Sequence, residues 1–149
     1  MIEYRELQID DIEPLLPIAK KIHAGSEYQV CEFATGKMVN LLSSTISEPN
    51  RNRCFLAFED GEIVGIMISI LYSIYCSEDL IANEYILWVD DRHHGCGVAT
   101  VLINDFTNWA DKNNALMKYV YTLLGTHTER AKSFFEKNGF ELTGYAFKG

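Results

Sequence analysis

Two strand-like runs, Cys54 to Glu59 and Glu62 to Tyr75, meet across Asp60-Gly61. Asp-Gly between apolar segments favours a two-residue hairpin, whose turn needs a positive φ at both positions. The middle of the chain is thereby committed to antiparallel β-structure, and the flanking segments must pack on a sheet. Their period is helical on both sides. Upstream, Ile12, Leu15, Leu16, Ala19 and Ile22 fall on one helical face, as do Met38, Leu41, Leu42 and Ile46 within Thr35 to Ser47. Downstream, Ile81 to Val89 reads as a further strand. Leu102, Phe106, Trp109 and Ala110 then share one side of a helix between Gly97 and Asn113.

The ends of the chain complete the pattern. Met1 to Leu7, Met117 to Leu124 and Phe140 to Phe147 read as strands. Asp10-x-x-Glu13 and Thr126-x-x-Glu129 resemble capping boxes. The second opens a helix whose inner face is Ala131, Phe134 and Phe135, and Gly139 stands where a helix end needs a left-handed residue. Pro14 suits a first turn, whereas Pro17 is expected to kink the first helix or delay its start. The order β-α-α-β-β-β-α-β-α-β gives an α/β class in the mixed, α+β sense. It predicts one domain over residues 1–149 with a mostly antiparallel sheet and helices on both faces.

Composition excludes several classes. Apolar residues are 48% of the 149, too many for a disordered chain. No apolar run is long enough to cross a bilayer, and Met1 to Glu6 lacks the basic start and apolar stretch of a signal peptide. A soluble, cytoplasmic protein without a membrane partner is the expectation. A net charge of −8 disfavours nucleic acid and tilts slightly towards a cationic partner. Cys31, Cys54, Cys76 and Cys96 form no CxxC pair, so they are expected to be reduced and buried rather than disulfides or metal ligands.

The sharpest local feature is Arg92-His93-His94-Gly95-Cys96-Gly97-Val98-Ala99, between a strand and an amphipathic helix. A helix start exposes unpaired N–H groups and about half a positive charge. Gly95 and Gly97 let the backbone curl around an anion, so the segment reads as a phosphate loop. It is not GxGxxG, because Gly95-Cys96-Gly97-Val98-Ala99-Thr100 ends in threonine, and it lacks the Gly-Lys-Ser/Thr of a Walker loop. Two histidines beside Cys96 could suggest a metal, but on a phosphate loop they read as anion contacts or solvent-facing residues, and no metal is expected.

Arg92-x-x-Gly95-x-Gly97-Val98-Ala99 resembles the R/Q-x-x-G-x-G/A motif of the GNAT superfamily of acyl-CoA-dependent N-acyltransferases. Ala131-x-x-Phe134-Phe135-Glu136-Lys137-Asn138-Gly139-Phe140 resembles that family's A-x-x-F-Y-E-K-x-G-F signature. The motifs stand in family order and spacing, and the element order fits along nearly the whole chain. The resemblance implies acetyl-CoA as cosubstrate, with its pyrophosphate on the backbone amides of His93 to Ala99. It implies that Leu87, Trp88 and Val89 present backbone groups to the pantetheine arm. That arm would enter a gap where the strand Ile81 to Val89 splays from the next, and residues of the last helix from Thr128 through Ala131 to Phe134 and Phe135 would line its other side. A homodimer is compatible with it.

Amine acetylation needs a neutral nucleophile, a donor for the oxyanion and a thiolate able to leave. A lysine-like amine costs about 4–5 kcal/mol to deprotonate at pH 7. A carboxylate within reach of the thioester can take that proton, and Glu84, on the strand before the loop, is the preferred base. Glu48 and Glu32 are reserves. The Val89 N–H is the candidate oxyanion donor. Two departures from the family pattern stand out. Phe135 replaces a tyrosine proposed to protonate the thiolate, leaving solvent, Tyr121 or Tyr119 as substitutes, and Thr128 replaces an asparagine. The expected function is acetyl transfer to a primary amine of a small molecule or peptide. A non-catalytic acyl-CoA-binding module is the main rival, and a nucleotide-dependent oxidoreductase a third reading.

Overall fold

A computed structural model describes residues 1–122 and 128–149. Strand β1 (Ile2–Glu6) leads into helix α1 (Ile12–Ala24) and helix α2 (Thr35–Ser47). A meander follows, β2 (Asn52–Glu59), β3 (Glu62–Tyr72) and β4 (Ile81–Val89). Helix α3 (Val98–Lys112), strand β5 (Met117–Tyr119) and helix α4 (Thr128–Lys137) complete the regular structure. The sheet runs β1-β2-β3-β4-β5, antiparallel until β5, which lies parallel to β4.

The central hairpin closes as its sequence requires. Glu59 pairs with Glu62, and Asp60 and Gly61 adopt φ of 50° and 80°. Alternation along β2 and β3 then feeds two cores. Leu15 of α1, Leu42 of α2, Leu56, Ile66 and Ile68 form one, and Met67, Leu102, Phe106 and Phe135 belong to the other. Helices therefore cover both faces of a mixed sheet.

Gly65 sets how closely α3 approaches that sheet. A Cβ built there would lie 2.9 Å from Val98 Cγ1 and 3.1 Å from Leu102 Cδ1. Val98 and Leu102 occupy the first turns of α3, so Gly65 fixes the height of the helix start that follows the glycine loop. Gly65→Val is expected to destabilise the protein by about 1–3 kcal/mol through overpacking. Chemical denaturation would register this as a lower midpoint at constant slope.

Several expectations are corrected. Phe140 to Phe147 forms no strand, although its residues alternate. A strand needs a ladder partner, and no described strand pairs with this segment, so Leu142, Tyr145 and Phe147 are exposed. Strand β5 is shorter than expected. Its predicted end at Leu123 and Leu124 and the capping residue Thr126 lie outside the described residues. Helix α1 starts on time despite Pro17, five residues into it, at the loss of one backbone hydrogen bond. The acid that closes a capping box is Asp11 rather than Glu13, and the box belongs to the 3-10 turn Ile9–Asp11 just ahead of α1. The Asp11 carboxylate accepts from the Gln8 N–H at 2.7 Å and from Arg5 at 2.6 and 3.0 Å. In α2, Thr45 is buried where Ile46 was expected, and Ile46 is 40% exposed. Only Cys54 of the four cysteines is buried, and all four are free thiols. Gly139 behaves as predicted. It has φ of 89° and the Phe140 N–H returns to the Phe135 carbonyl, closing α4.

Candidate functional site

Strand β4 ends at Val89, and the chain turns through Asp90 into a short 3-10 segment, Asp91–His93. The Asp90 carboxylate accepts from the Arg92 N–H at 3.0 Å and from its guanidinium at 3.1 and 3.2 Å. That guanidinium holds the Asp90 carboxyl down to about 2. Gly95 and Gly97 follow with φ of 80° and 84°, a left-handed region costly for other residues, and α3 begins at Val98. The two glycines thus serve the sharp reversal that aims a helix start back at the strand end.

The amides of this loop divide into two sets. Those of His93, His94 and Cys96 donate to the Asp90, Asp91 and His93 carbonyls. The expectation that every amide from His93 to Ala99 serves a ligand is therefore narrowed. Among the described residues, none accepts from the N–H groups of Gly95, Gly97, Val98, Ala99 or Thr100. A Cβ at Gly95 or Gly97 would meet nothing within 4 Å, so open space adjoins the loop that carries these donors. Unpaired N–H groups at the positive end of a 15-residue helix fit a diphosphate.

From that cradle a cleft of about 950 Å³ runs along β4. Its walls include Leu87, Trp88, Val89, His93, His94, Gly95, Gly97, Val98 and Ala99, with Ala131, Phe134 and Phe135 of α4 on the far side. The register of β3 and β4 explains why this edge can take a ligand. Asp90 N–H donates to the Val64 carbonyl at 2.9 Å, so Val64 and Asp90 form a hydrogen-bonded pair. By alternation Gly65–Val89 and Met67–Leu87 are non-bonded pairs, and the main-chain groups of Val89 and Leu87 point away from β3. Strand β5 would normally take them, but its pairing with β4 stops at Asn83–Tyr119. The two strands part there. The Val89 carbonyl accepts from His94 Nε2 at 3.0 Å, while no described acceptor is recorded for the Val89 N–H.

Glu84 is the first residue past the last β4–β5 pair, beside a bulge that leaves Tyr85 unpaired opposite Ile68 and Ser69. It is 4% exposed and lines the cleft. Burial pushes its carboxyl up to about 7, partly opposed by hydrogen bonds from the Tyr121 and Leu87 amides. The Tyr121 N–H lies 3.3 Å from Oε2. A carboxyl that titrates near neutrality inside a cleft is suited to collecting a proton.

Not every expected residue reaches the cleft wall. The Arg92 side chain is drawn outward by Asp90 and, at 4.0 Å, by Glu62. Cys96 is exposed between the two glycines, and Thr128 is exposed at the start of α4. None of the three lines the cleft, and neither do the reserve acids Glu32 and Glu48. His93 does, but its Nε2 is held by the Glu59 carboxylate. Conversely, Lys21, Ile22 and Gly25 at the end of α1, together with Thr100, Tyr121, Arg130 and Lys137, line the cleft without having been singled out as cofactor contacts. Only tertiary structure brings the end of α1 opposite α4. In this acidic chain the cations Lys21, Arg130 and Lys137 line the cleft together with the acids Glu84 and Asp91.

Comparison with known proteins agrees with this fold. A family model described as an acetyltransferase (GNAT) domain matches residues 50–142. No curated protein matches the chain in sequence. Among solved structures, an acetyltransferase from Trypanosoma brucei is similar at 16% identity and a TM-score of 0.75, over 99% of this chain and 98% of that one. AAC(6')-Iy, in complex with the bisubstrate analogue CoA-S-monomethyl-acetylneamine, is similar at 15% identity and 0.78, over 100% and 97%. An aminoglycoside acetyltransferase from an uncultured soil metagenomic sample, in complex with sisomicin, is similar at 18% and 0.70, over 99% and 95%. At these identities the likeness is one of fold.

Proposed function

The chain belongs to the GNAT acetyltransferase family, and from that premise we propose that residues 1–149 act as one catalytic domain. It moves an acetyl group from acetyl-CoA to a primary amine. The observation that carries this reading is the continuity of the cleft. One groove joins a set of unpaired helix-start amides, an open strand edge and a buried carboxylate.

In this reading the N–H groups of Gly95 and Gly97 to Thr100 bind the pyrophosphate, and the cations Arg130 and Lys137 add to the field along α4. The Leu87 carbonyl and the Val89 N–H, which β5 has left, line the pantetheine arm. The acetyl group then lies where β4 and β5 part, next to Glu84. Glu84 takes the proton of the attacking amine, and a main-chain N–H of β4 beside the bulge stabilises the oxyanion; the Val89 N–H, five residues and about 16 Å further along the strand, stays with the pantetheine arm. No covalent enzyme intermediate is required, in keeping with Cys96 standing off the cleft wall. The acceptor is a small-molecule or peptide amine entering beside Lys21, Ile22 and Gly25.

Phe135 is the one feature that favours a second reading, a binding module without turnover. Calorimetry with CoA and release of free CoA from acetyl-CoA across a panel of spermidine, neamine and a lysine-containing peptide would separate the two. CoA binding with amine-dependent release is the expected result. Tight binding with no release above buffer would favour the module. Protection against heat by NAD but not by CoA would remove acyl transfer altogether.

A further inference from the structure

Loss of the acetyl group leaves a thiolate in the cleft, and Phe135, which packs there, has no proton to give. Among the described residues, the groups that could supply one are few. His93 and His94 are held at the loop by Glu59 and by the Val89 carbonyl. Lys21, Arg130 and Lys137 lie on the helical walls, and among the described residues no cation is near enough to Glu84 to depress its carboxyl. Among the described residues, Tyr121 is the one tyrosine that lines the cleft. The Tyr119 hydroxyl instead faces Met117 Sδ at 3.9 Å.

We infer that the Tyr121 hydroxyl protonates the departing thiolate and is itself restored by Glu84. This rests on the acetyl-transfer reading above. The Tyr121 backbone is held beside the base, and the residue, 42% exposed, lines the cleft. The Tyr121 N–H bonds the Glu84 carboxylate, which anchors the residue beside the base. The Asn83 amide lies against the Tyr121 side chain, and Asn83 Oδ1 is buried without a hydrogen-bond partner among the described residues. Asn83 can therefore turn its NH₂ to the phenolate when the proton leaves.

The protons balance. Glu84 gains one from the amine as the C–N bond forms, and the C–S bond breaks as Tyr121 gives its proton to sulfur. The neutral Glu84 carboxyl then returns a proton to the phenolate, directly or through water. Burial, with Tyr72, Tyr119 and Glu84 close by, raises the Tyr121 phenol, so it enters each cycle protonated. The return step runs downhill, from a carboxyl of about 7 to a phenol above its ordinary 10. From Glu84 to a thiol near 8.5 the net transfer is also downhill.

Hydroxylamine with acetyl-CoA provides the test. This nucleophile is already neutral at pH 7, so no prior deprotonation is needed; the proton shed as the C–N bond forms still passes to Glu84, and the thiolate must still leave. Tyr121→Phe is expected to lower kcat about 10- to 100-fold, with KM for acetyl-CoA and the thermal midpoint unchanged. Adding Phe135→Tyr, which places a phenol in the same cleft, is expected to recover most of the loss. Equal turnover by wild type and Tyr121→Phe would overturn the inference. So would a loss carried by KM, or one that Phe135→Tyr does not repair. If the wild type binds CoA yet releases none above buffer, both this relay and the transfer reading fall; if it does not bind CoA, the cradle itself is wrong.

Discussion

Glu84→Gln is expected to slow acetyl transfer about 100-fold or more while leaving the CoA dissociation constant within about twofold, because a positioned base contributes on that scale. The pH profile gives the sharper signature. A base whose carboxyl sits near 7 is half ionised there, so wild-type kcat should rise through about pH 7 and level off above it. The variant, with no group to ionise, should lose that step. An unchanged inflection near 7 in Glu84→Gln would remove this residue from the chemistry.

The same residue makes an opposite prediction for stability. Its folded carboxyl lies near 7, above an ordinary value of 4.5. Below about 4.5 it is protonated in both states and carries no penalty. As pH rises through about 7 the unfolded chain ionises first and stability is lost. At about 1.4 kcal/mol per pH unit the loss approaches about 3 kcal/mol at pH 8. Glu84→Gln stays neutral throughout and keeps a hydrogen-bonding side chain. It should match wild type near pH 4.5 and exceed it by up to about 3 kcal/mol at pH 8. A variant that is slower but more stable is what a buried base implies, and urea unfolding at the two pH values would reveal it. Equal stability differences at both would mean that the carboxylate is not buried in solution.

Gly97→Trp is expected to weaken CoA binding at least about 100-fold. At φ of 84° any Cβ strains the backbone, and here the side chain would fill the open space in front of the helix-start amides. Losing two charge-assisted hydrogen bonds costs about 3 kcal/mol, which is the stated factor. Gly61→Ala is the control. Its φ of 80° imposes similar strain at a hairpin tip outside the cleft lining. It should lower the melting temperature modestly and leave CoA affinity alone. Calorimetry showing comparable losses in both would mean that backbone strain, not an occupied anion site, explains the first.

Much of this protein is written locally. Asp60-Gly61 demands its hairpin because few dipeptides accept two positive φ values, and Gly95 and Gly97 mark their loop for the same reason. The buried face of α3 follows from its period, and the end of α4 from Gly139. Glu84 could be selected because it lies on the strand that leads into the glycine loop. Which groups that loop leaves unpaired could not be read, since the turn consumes the His93, His94 and Cys96 amides through its own hydrogen bonds. The Arg92 side chain was likewise lost to neighbours, one of them on a different strand.

The sequence alone therefore determined most of the elements, their order and the glycine turn ahead of α3, because each depends on torsions and periods within a few residues. Tertiary structure decided the rest. Strand β5 leaves β4 after Asn83, burying Glu84 at the fork and bringing Tyr121 to it, and α1 meets α4 across the cleft. Alternation in 140–147 could not make a strand without a neighbour to bond. Pairing, burial and the pKa shifts they cause belong to segments distant in the chain, and no local pattern carries them.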